Sequence, residues 1–425
     1  MDLFGKRDVT GSRPRIVLYS HDTMGLGHMR RNLLIAQSLA NSALEANVLM
    51  IAGAFAANVF ASSAGIDCLT LPALHKFGNG QYKSRNLNVE LEEIIKFREK
   101  TICAATDAFY PDVLIVDNVP RGVHRELDST LKLLKQRGKT RLVLGLRDVL
   151  DDPATVRREW QAANNEQTVG DYFDAVWVYG DPAVHNVVRA HDFSPKIEAK
   201  VRFTGYFDHR KRLEWAHKAD CSVPISRQEA RSGKRLALCL VGGGQDGSHV
   251  AEMFAKTILP EDYYGLLVTG PFMPAETCLR LRRIAADNPG LEVIKQISEP
   301  VQLLQAAHRV IAMGGYNTVG EVLSFRKHAL VVPRVKPRQE QLIRAERLHE
   351  LGLIDYIHPE QVTSAKLAQW LVRELEPLPA VDQLLDMNGL ERLPLLLREL
   401  LDRSSQAQPS LAESTHFMEE INYVL

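Results

Sequence analysis

The chain has 425 residues, more than one hydrophobic core usually serves, so two domains of ordinary size are expected. Its 45% hydrophobic and 24% charged residues are those of a soluble globular protein, and Lys plus Arg equals Asp plus Glu at 52 each, so no global charge argues for nucleic acid. Cys68, Cys103, Cys221, Cys239 and Cys278 form no C-x-x-C pair, which fits neither a zinc site nor a disulfide framework and points to a reducing cytoplasm.

Lys6, Arg7 and Asp8 precede no apolar h-region, and no run approaches the roughly 18 residues a spanning helix needs. Secretion by that route and integral membrane insertion are therefore not expected, while lying on a membrane stays open. The first predicted strand is Arg15–Ser20, followed by the glycine-bearing loop His21–His28 and a helix over Met29–Asn41. The loop is not a dinucleotide fingerprint, because Arg30 ends Gly25-Leu-Gly-His-Met-Arg30, and it lacks the Lys-Ser/Thr of a P-loop. Strand-like runs follow at Ala46–Ile51, Asp112–Asp117, Arg141–Leu146 and Ala175–Tyr179, with helices over Val89–Ala108 and Gly122–Arg137. This alternation predicts a parallel sheet whose ligands bind beyond the carboxyl ends of its strands. That edge would hold His28, Asp117, Arg147 with Asp148, and Gly180 with Asp181. Leu74–Asn86, basic and aromatic without periodicity, reads as a long loop, either a lid or a solvated connection.

The first domain is expected to span 1–206, and the charged, poorly periodic stretch 207–233 to connect it to a second domain over 234–403. The pattern restarts there with strand Arg235–Val241, glycine loop Gly242–Gly247 and helix Ser248–Leu259. Strands Gly265–Thr269, Leu291–Ile294, Arg309–Ala312 and Ala329–Pro333 continue the sheet. Between the last two lies Ala312–Glu321, a strand end, a Gly-Gly turn and a helix start. Gly314 and Gly315 let a ligand approach the backbone, and the free N–H groups of the first turn, with Thr318 beside them, suit a phosphate. Helices are predicted over Gln339–Leu351, Ser364–Leu375 and Met387–Leu401, and the tail 404–425 is expected to be loosely held.

Two similar α/β domains, each opening with a glycine loop, resemble the GT-B glycosyltransferases, with two Rossmann-like parallel-sheet domains facing each other across a cleft. More narrowly, Gly25-Leu-Gly-His28, Gly242–Gly247, Ala312–Glu321 and Pro333–Gln341 resemble the family 28, MurG-like UDP-sugar transferases. The resemblance implies that the second domain holds the donor. Gly243, Gly244 and Gln245 match the loop at the cleft edge; Ile297 matches the backbone contact to uracil; Gly314, Gly315, Asn317 and Thr318 match the diphosphate turn; Glu321 matches the ribose carboxylate; Gln339, Glu340 and Gln341 match polar side chains against the sugar. Two departures stand out: Leu26 separates Gly25 from Gly27, where the family has adjacent glycines, and Gly244 replaces a serine. His28 followed by Arg30 and Arg31 also resembles the UDP-sugar hydrolase of pseudaminic acid synthesis.

Transfer from a UDP-sugar needs a stabilised leaving diphosphate, a way to deprotonate the acceptor, and exclusion of water. Helix N-termini, the Gly-Gly turn and Arg334, Lys336 or Arg338 are candidates for the first. No D-x-D triplet occurs, so a metal held by paired aspartates is not indicated, and no permanently bound cofactor is expected. His28 is the candidate base, oriented by Asp117, although His28 is also suited merely to bond a phosphate and Asp117 to cap the helix near Gly122. Closure of the two domains about the 207–233 connection would exclude water. The acceptor, whether carbohydrate, lipid-linked or small molecule, would then lie by Gly27, Arg30, Arg31, Arg121 and the 74–86 loop; Phe55, Val59 and Phe60 suit a membrane-facing patch if the acceptor is lipid-linked, although their spacing favours packing in the core. The expected location is cytoplasmic, with the inner membrane face open to a peripheral protein. An inverting hexosyl- or N-acetylhexosaminyl-transferase is the first expectation. A UDP-sugar hydrolase, a non-catalytic sugar-nucleotide binder and an epimerase remain alternatives.

Overall fold

The computed structural model describes residues 13–21, 27–53, 61, 65–76, 81–215, 233–295, 297 and 300–406. Phe55, Val59 and Phe60, the loop tip 77–80, the stretch 216–232 and the tail beyond 406 lie outside the described residues.

Seven strands form the first sheet: β1 (Arg15–Ser20), β2 (Asn47–Ala52), β3 (Asp67–Thr70), β6 (Val113–Asp117), β7 (Arg141–Arg147), β8 (Ala175–Tyr179) and β9 (Val201–Phe203). They run parallel in the order β3-β2-β1-β6-β7-β8-β9. Every residue of β6 and of β8 is buried, as expected of strands covered on both faces. The second sheet has the parallel order β12-β11-β10-β13-β14-β15, from β10 (Arg235–Leu240), β11 (Tyr263–Val268), β12 (Leu291–Ile294), β13 (Arg309–Ala312), β14 (Ala329–Val331) and β15 (Asp355–Tyr356). In both sheets the strand order reverses beside the strand that opens the domain, β1 or β10, and the crevice at that point is where such folds take ligands.

The segment expected as a long loop instead contains a small antiparallel pair, β4 (Leu74–Lys76) with β5 (Tyr82–Ser84). Tyr82 packs its ring edge-on to His124, and Leu74 is buried with Ile94 and Val123, an apolar anchoring too short to register as a period. Seven principal helices matter for the site: α1 (Gly27–Ala40), α2 (Leu91–Phe109), α3 (Lys211–Trp215), α4 (Ser248–Ala255), α5 (Tyr316–Ser324), α6 (Glu340–Glu350) and α7 (Gly389–Gln406). The chain crosses back at its end, so that α7 lies against α1 of the first half. With β1 and β2 on its other side, α1 buries Arg31, Asn32 and Ser38 together with its apolar stripe.

The two halves share one apolar core, in which Ile16, Leu18 and Ile35 join Tyr206, Phe207, Leu238 and Tyr316. Polar bonds pin the same interface. Arg344 of α6 grips Asp148, just past β7, with Nε at 2.7 Å and a terminal nitrogen at 2.6 Å, and both side chains are fully buried. The Tyr206 hydroxyl donates to the same carboxylate at 2.6 Å, and the other arm of Arg344 donates to the Gly314 carbonyl at 2.8 Å. Burial alone would raise the Asp148 carboxyl, but the Arg344 charge and these hydrogen bonds hold it below the usual carboxylate range. Arg344→Ala leaves that carboxylate buried without its counter-charge. We expect a loss of about 3–5 kcal/mol, read as a lowered urea midpoint.

Candidate functional site

β1 and β6 end side by side and deliver two loops to one edge of the first sheet. Asp117, the last residue of β6, lies under the first turn of α1, where His28 and Arg31 stand one turn apart on the same face. His28 Nδ1 is 2.6 Å from Asp117 Oδ2, and one Arg31 terminal nitrogen donates to both Asp117 oxygens at 2.6 and 2.8 Å. That nitrogen also lies 2.9 Å from His28 Nδ1; because an ionised Asp117 can only accept, the 2.6 Å contact makes Nδ1 the donor. Such a tautomer turns Nε2 into the acceptor. The Asp117 side chain is 1% exposed and that of His28 19%, so the carboxylate is sealed and the ring reaches the cleft. Burial pushes the Asp117 carboxyl up, but Arg31 and His28 together outweigh it and hold it far below its ordinary value.

Arg31 also lies over two aromatic rings, Tyr179 at 5.7 Å and Tyr316 at 5.5 Å, so the second domain supplies part of its lining. Gly145 on β7 makes room for one of them, since a Cβ there would come within 2.1 Å of the Tyr179 hydroxyl. His21 lies beside His28, ring centroids 5.1 Å apart, with its buried Nδ1 unpartnered among the described residues. Burial, reinforced by the neighbouring His28, lowers its pKa to about 3.

Across the cleft, β13 ends at Ala312 and α5 begins at Tyr316, with Gly315 as an N-cap that offers no side chain to the first-turn N–H groups. A Cβ on Gly315 would meet nothing within 4 Å, whereas one on Gly314 would press on Gln341 at 3.2 Å. Gly315 therefore fronts open space and Gly314 packs against α6. Asn317 Nδ2 donates to the Gly27 carbonyl at 3.0 Å, tying the start of α5 to the start of α1. The Gly242–Gly247 loop folds onto the strand beside it: Gly244, at φ 92°, leaves no space for a Cβ, which would fall 2.3 Å from the Thr269 carbonyl.

No protein-family model matches the chain, and no curated protein matches it. Among solved structures it is similar to the kitacinnamycin glycotransferase, with TM-score 0.59, 16% identity and coverage of 92% of this chain and 100% of that one. It is also similar to MurG of Acinetobacter baumannii, with TM-score 0.52, 13% identity and coverage of 92% and 99%. A putative UDP-N-acetylglucosamine 2-epimerase from Listeria monocytogenes overlays as well, with TM-score 0.59, 12% identity and coverage of 92% and 98%. The chain has the GT-B fold.

In this GT-B cleft the residues singled out in the sequence separate into three groups. His28, Asp117 and Arg31 meet directly, and Gly315, Asn317 and Thr318 face them half-buried. Gly243, Gln245 and Ile297 are accessible on the second domain, with Gln245 exposed, Gly243 and Ile297 half-buried, and Gly244 buried. The remainder are engaged within the protein. Glu321 is buried and accepts from Arg212 of α3 at 2.7 Å; Gln341 accepts from the Arg334 backbone at 3.0 Å; the Gln339 backbone donates to Asp151 at 2.7 Å; Arg121 donates to Asp128 at 2.7 Å. Glu340 accepts from Arg334 through Oε1, and its buried Oε2 has no partner among the described residues. Arg30 lies near enough to His209 for its charge to help depress that histidine, behind the desolvation of burial and Arg212. His21, Tyr179 and Tyr316 received no role from the sequence, because nothing in their local spacing marks them.

His21 makes the site sensitive to acid. Its folded pKa lies below the unfolded 6.5, so the unfolded chain binds the extra proton, and stability present above pH 6.5 is lost as pH falls toward about 3. Between pH 7 and 5 the wild type should lose about 2 kcal/mol more than His21→Asn, read from urea midpoints at each pH.

Proposed function

We propose that the protein is a glycosyltransferase that moves a hexosyl or N-acetylhexosaminyl group from a UDP-sugar to an acceptor hydroxyl, with inversion and without a metal held by paired aspartates. The observation that carries this reading is the bond from Asn317 to the Gly27 carbonyl, which brings the open helix start at Gly315 against the His28–Asp117 pair. One wall then offers unpaired N–H groups to a diphosphate and the other offers an imidazole to a hydroxyl. The GT-B fold is consistent with a nucleotide-sugar donor across this cleft.

In this mechanism His28 Nε2 takes the proton of the acceptor hydroxyl as its oxygen attacks the anomeric carbon. The bond from that carbon to the diphosphate oxygen breaks, and the electron pair leaves with UDP. Asp117 stays ionised, held so by Arg31, and therefore orients the ring and supports its positive charge without taking the proton itself. The N–H groups at the start of α5, with Thr318, meet the growing charge on the diphosphate. Gly243, Gln245 and Ile297 belong to the nucleotide end of the donor site, and Glu340 and Gln341 to its sugar end. Glu321 serves the ribose once Arg212 yields one carboxylate oxygen.

His28→Ala should lower turnover by about 10²–10⁴-fold while leaving the thermal shift produced by UDP unchanged. The test supplies a panel of UDP-sugars with and without acceptors and follows UDP release and sugar fate. Release of free sugar from donor alone at the full rate would replace transfer by hydrolysis. Accumulation of an epimeric UDP-sugar would replace it by epimerisation. UDP binding that survives His28→Ala with no turnover in any combination would leave a binding protein.

A further inference from the structure

Every cation expected to meet the leaving diphosphate from the second domain already bonds to carboxylates, with Lys336 the exception. Arg334 donates to Asp246 at 2.9 Å and also to Glu340, and Arg338 donates to Asp151 and Glu159, each at 2.9 Å. Lys336 is exposed at the rim. In the first domain Arg31 is neutralised by Asp117, and Arg344 reaches across to Asp148. Arg147 differs from all of these. It is the last residue of β7, placed at the carboxyl edge of the sheet by a strand whose interior is wholly buried. Among the described residues its nearest carboxylate oxygen, Glu340 Oε1, is 3.8 Å away and already accepts from Arg334. Its buried Nε, like those of Arg31 and Arg334, has no hydrogen-bond partner among the described residues, and 23% of the side chain remains open, so what sets Arg147 apart is the absence of a close carboxylate.

Two charge relationships locate the group. Arg147 is close enough to His21 to help depress it, and close enough to Glu340 to be attracted by it, so it stands between the His28 wall and the second domain's polar cluster. Burial lowers the Arg147 pKa; Glu340 and Asp148 oppose the lowering, while Arg31 and Arg344 add to it. A guanidinium so placed is only partly balanced by Glu340 and Asp148. A dianionic group between the walls would complete the balance.

We propose that Arg147 is a donor-binding residue that grips the β-phosphate of the nucleoside diphosphate and stabilises it as the leaving group. The proposal rests on the nucleotide-sugar reading above and adds a cation from the domain opposite the helix start at Gly315. As the bond from the anomeric carbon to the β-phosphate oxygen breaks, the electron pair settles on that oxygen. Arg147 then donates to it, while the acceptor proton goes to His28. A fork of N–H donors suits a phosphate bidentately, so charge and geometry agree.

The test titrates UDP and UMP into the full-length wild type, Arg147→Met and Arg147→Lys by calorimetry, with thermal midpoints taken in parallel. Arg147→Met should weaken UDP about tenfold to a hundredfold and change UMP less than about threefold, because UMP lacks the β-phosphate. Arg147→Lys should recover part of the UDP affinity. The thermal midpoint of Arg147→Met should stay level or rise, since a poorly compensated buried charge is removed. UDP affinity unchanged in Arg147→Met, or equal losses for UDP and UMP with a lowered midpoint, would overturn the proposal and leave the nucleotide reading standing. A wild type that binds neither nucleotide would overturn both.

Discussion

The ion pair between Asp148 and Arg344 sets the geometry on which the cleft depends. It joins the two sheets out of contact with water, and a second bond from Arg344 holds the carbonyl of Gly314 at the base of the Gly-Gly turn. A buried pair of this kind adds little net stability over an apolar substitute, but it is costly to break from one side. Its value here is positional. It fixes how the end of β7 in one domain stands against the turn after β13 in the other, and Tyr316 fills the space between Arg344 and Arg31.

Charge is distributed along the cleft in a definite way. Cations with good carboxylate partners hold structure: Arg344 the interface, Arg31 the His28 partner, Arg334 and Arg338 the rim. Asp117 illustrates the consequence, because the same arginine that keeps it ionised also confines it to orienting His28. The Arg147 Nε and the Glu340 Oε2 are two of several buried polar atoms without partners among the described residues, and their side chains meet 3.8 Å apart where the two walls face each other.

Much of this was legible in the sequence because parallel strands buried on both faces read as unbroken apolar runs, as Val113–Val116 and Val176–Val178 do. The glycine loops stood out for the same reason, since each follows such a run. Asp117 could be matched to His28 from strand ends alone. The partners of the charged groups could not, because Asp148 and Arg344 lie 196 positions apart and Arg212 and Glu321 lie 109 apart. Local pattern carries no information about such pairs. The β4–β5 pair was missed because three-residue strands are too short to show a period, and Arg147 was placed at the sheet edge without any sign that it lacks a partner.

The central claim is that a nucleoside diphosphate sits between the start of α5 and the His28 wall. A crystal structure of the protein with UDP tests it most directly. The diphosphate should lie against the backbone of Gly315 to Thr318, with the uracil toward Ile297. UDP bound elsewhere, with the Gly315 turn and His28 facing only solvent, would contradict it.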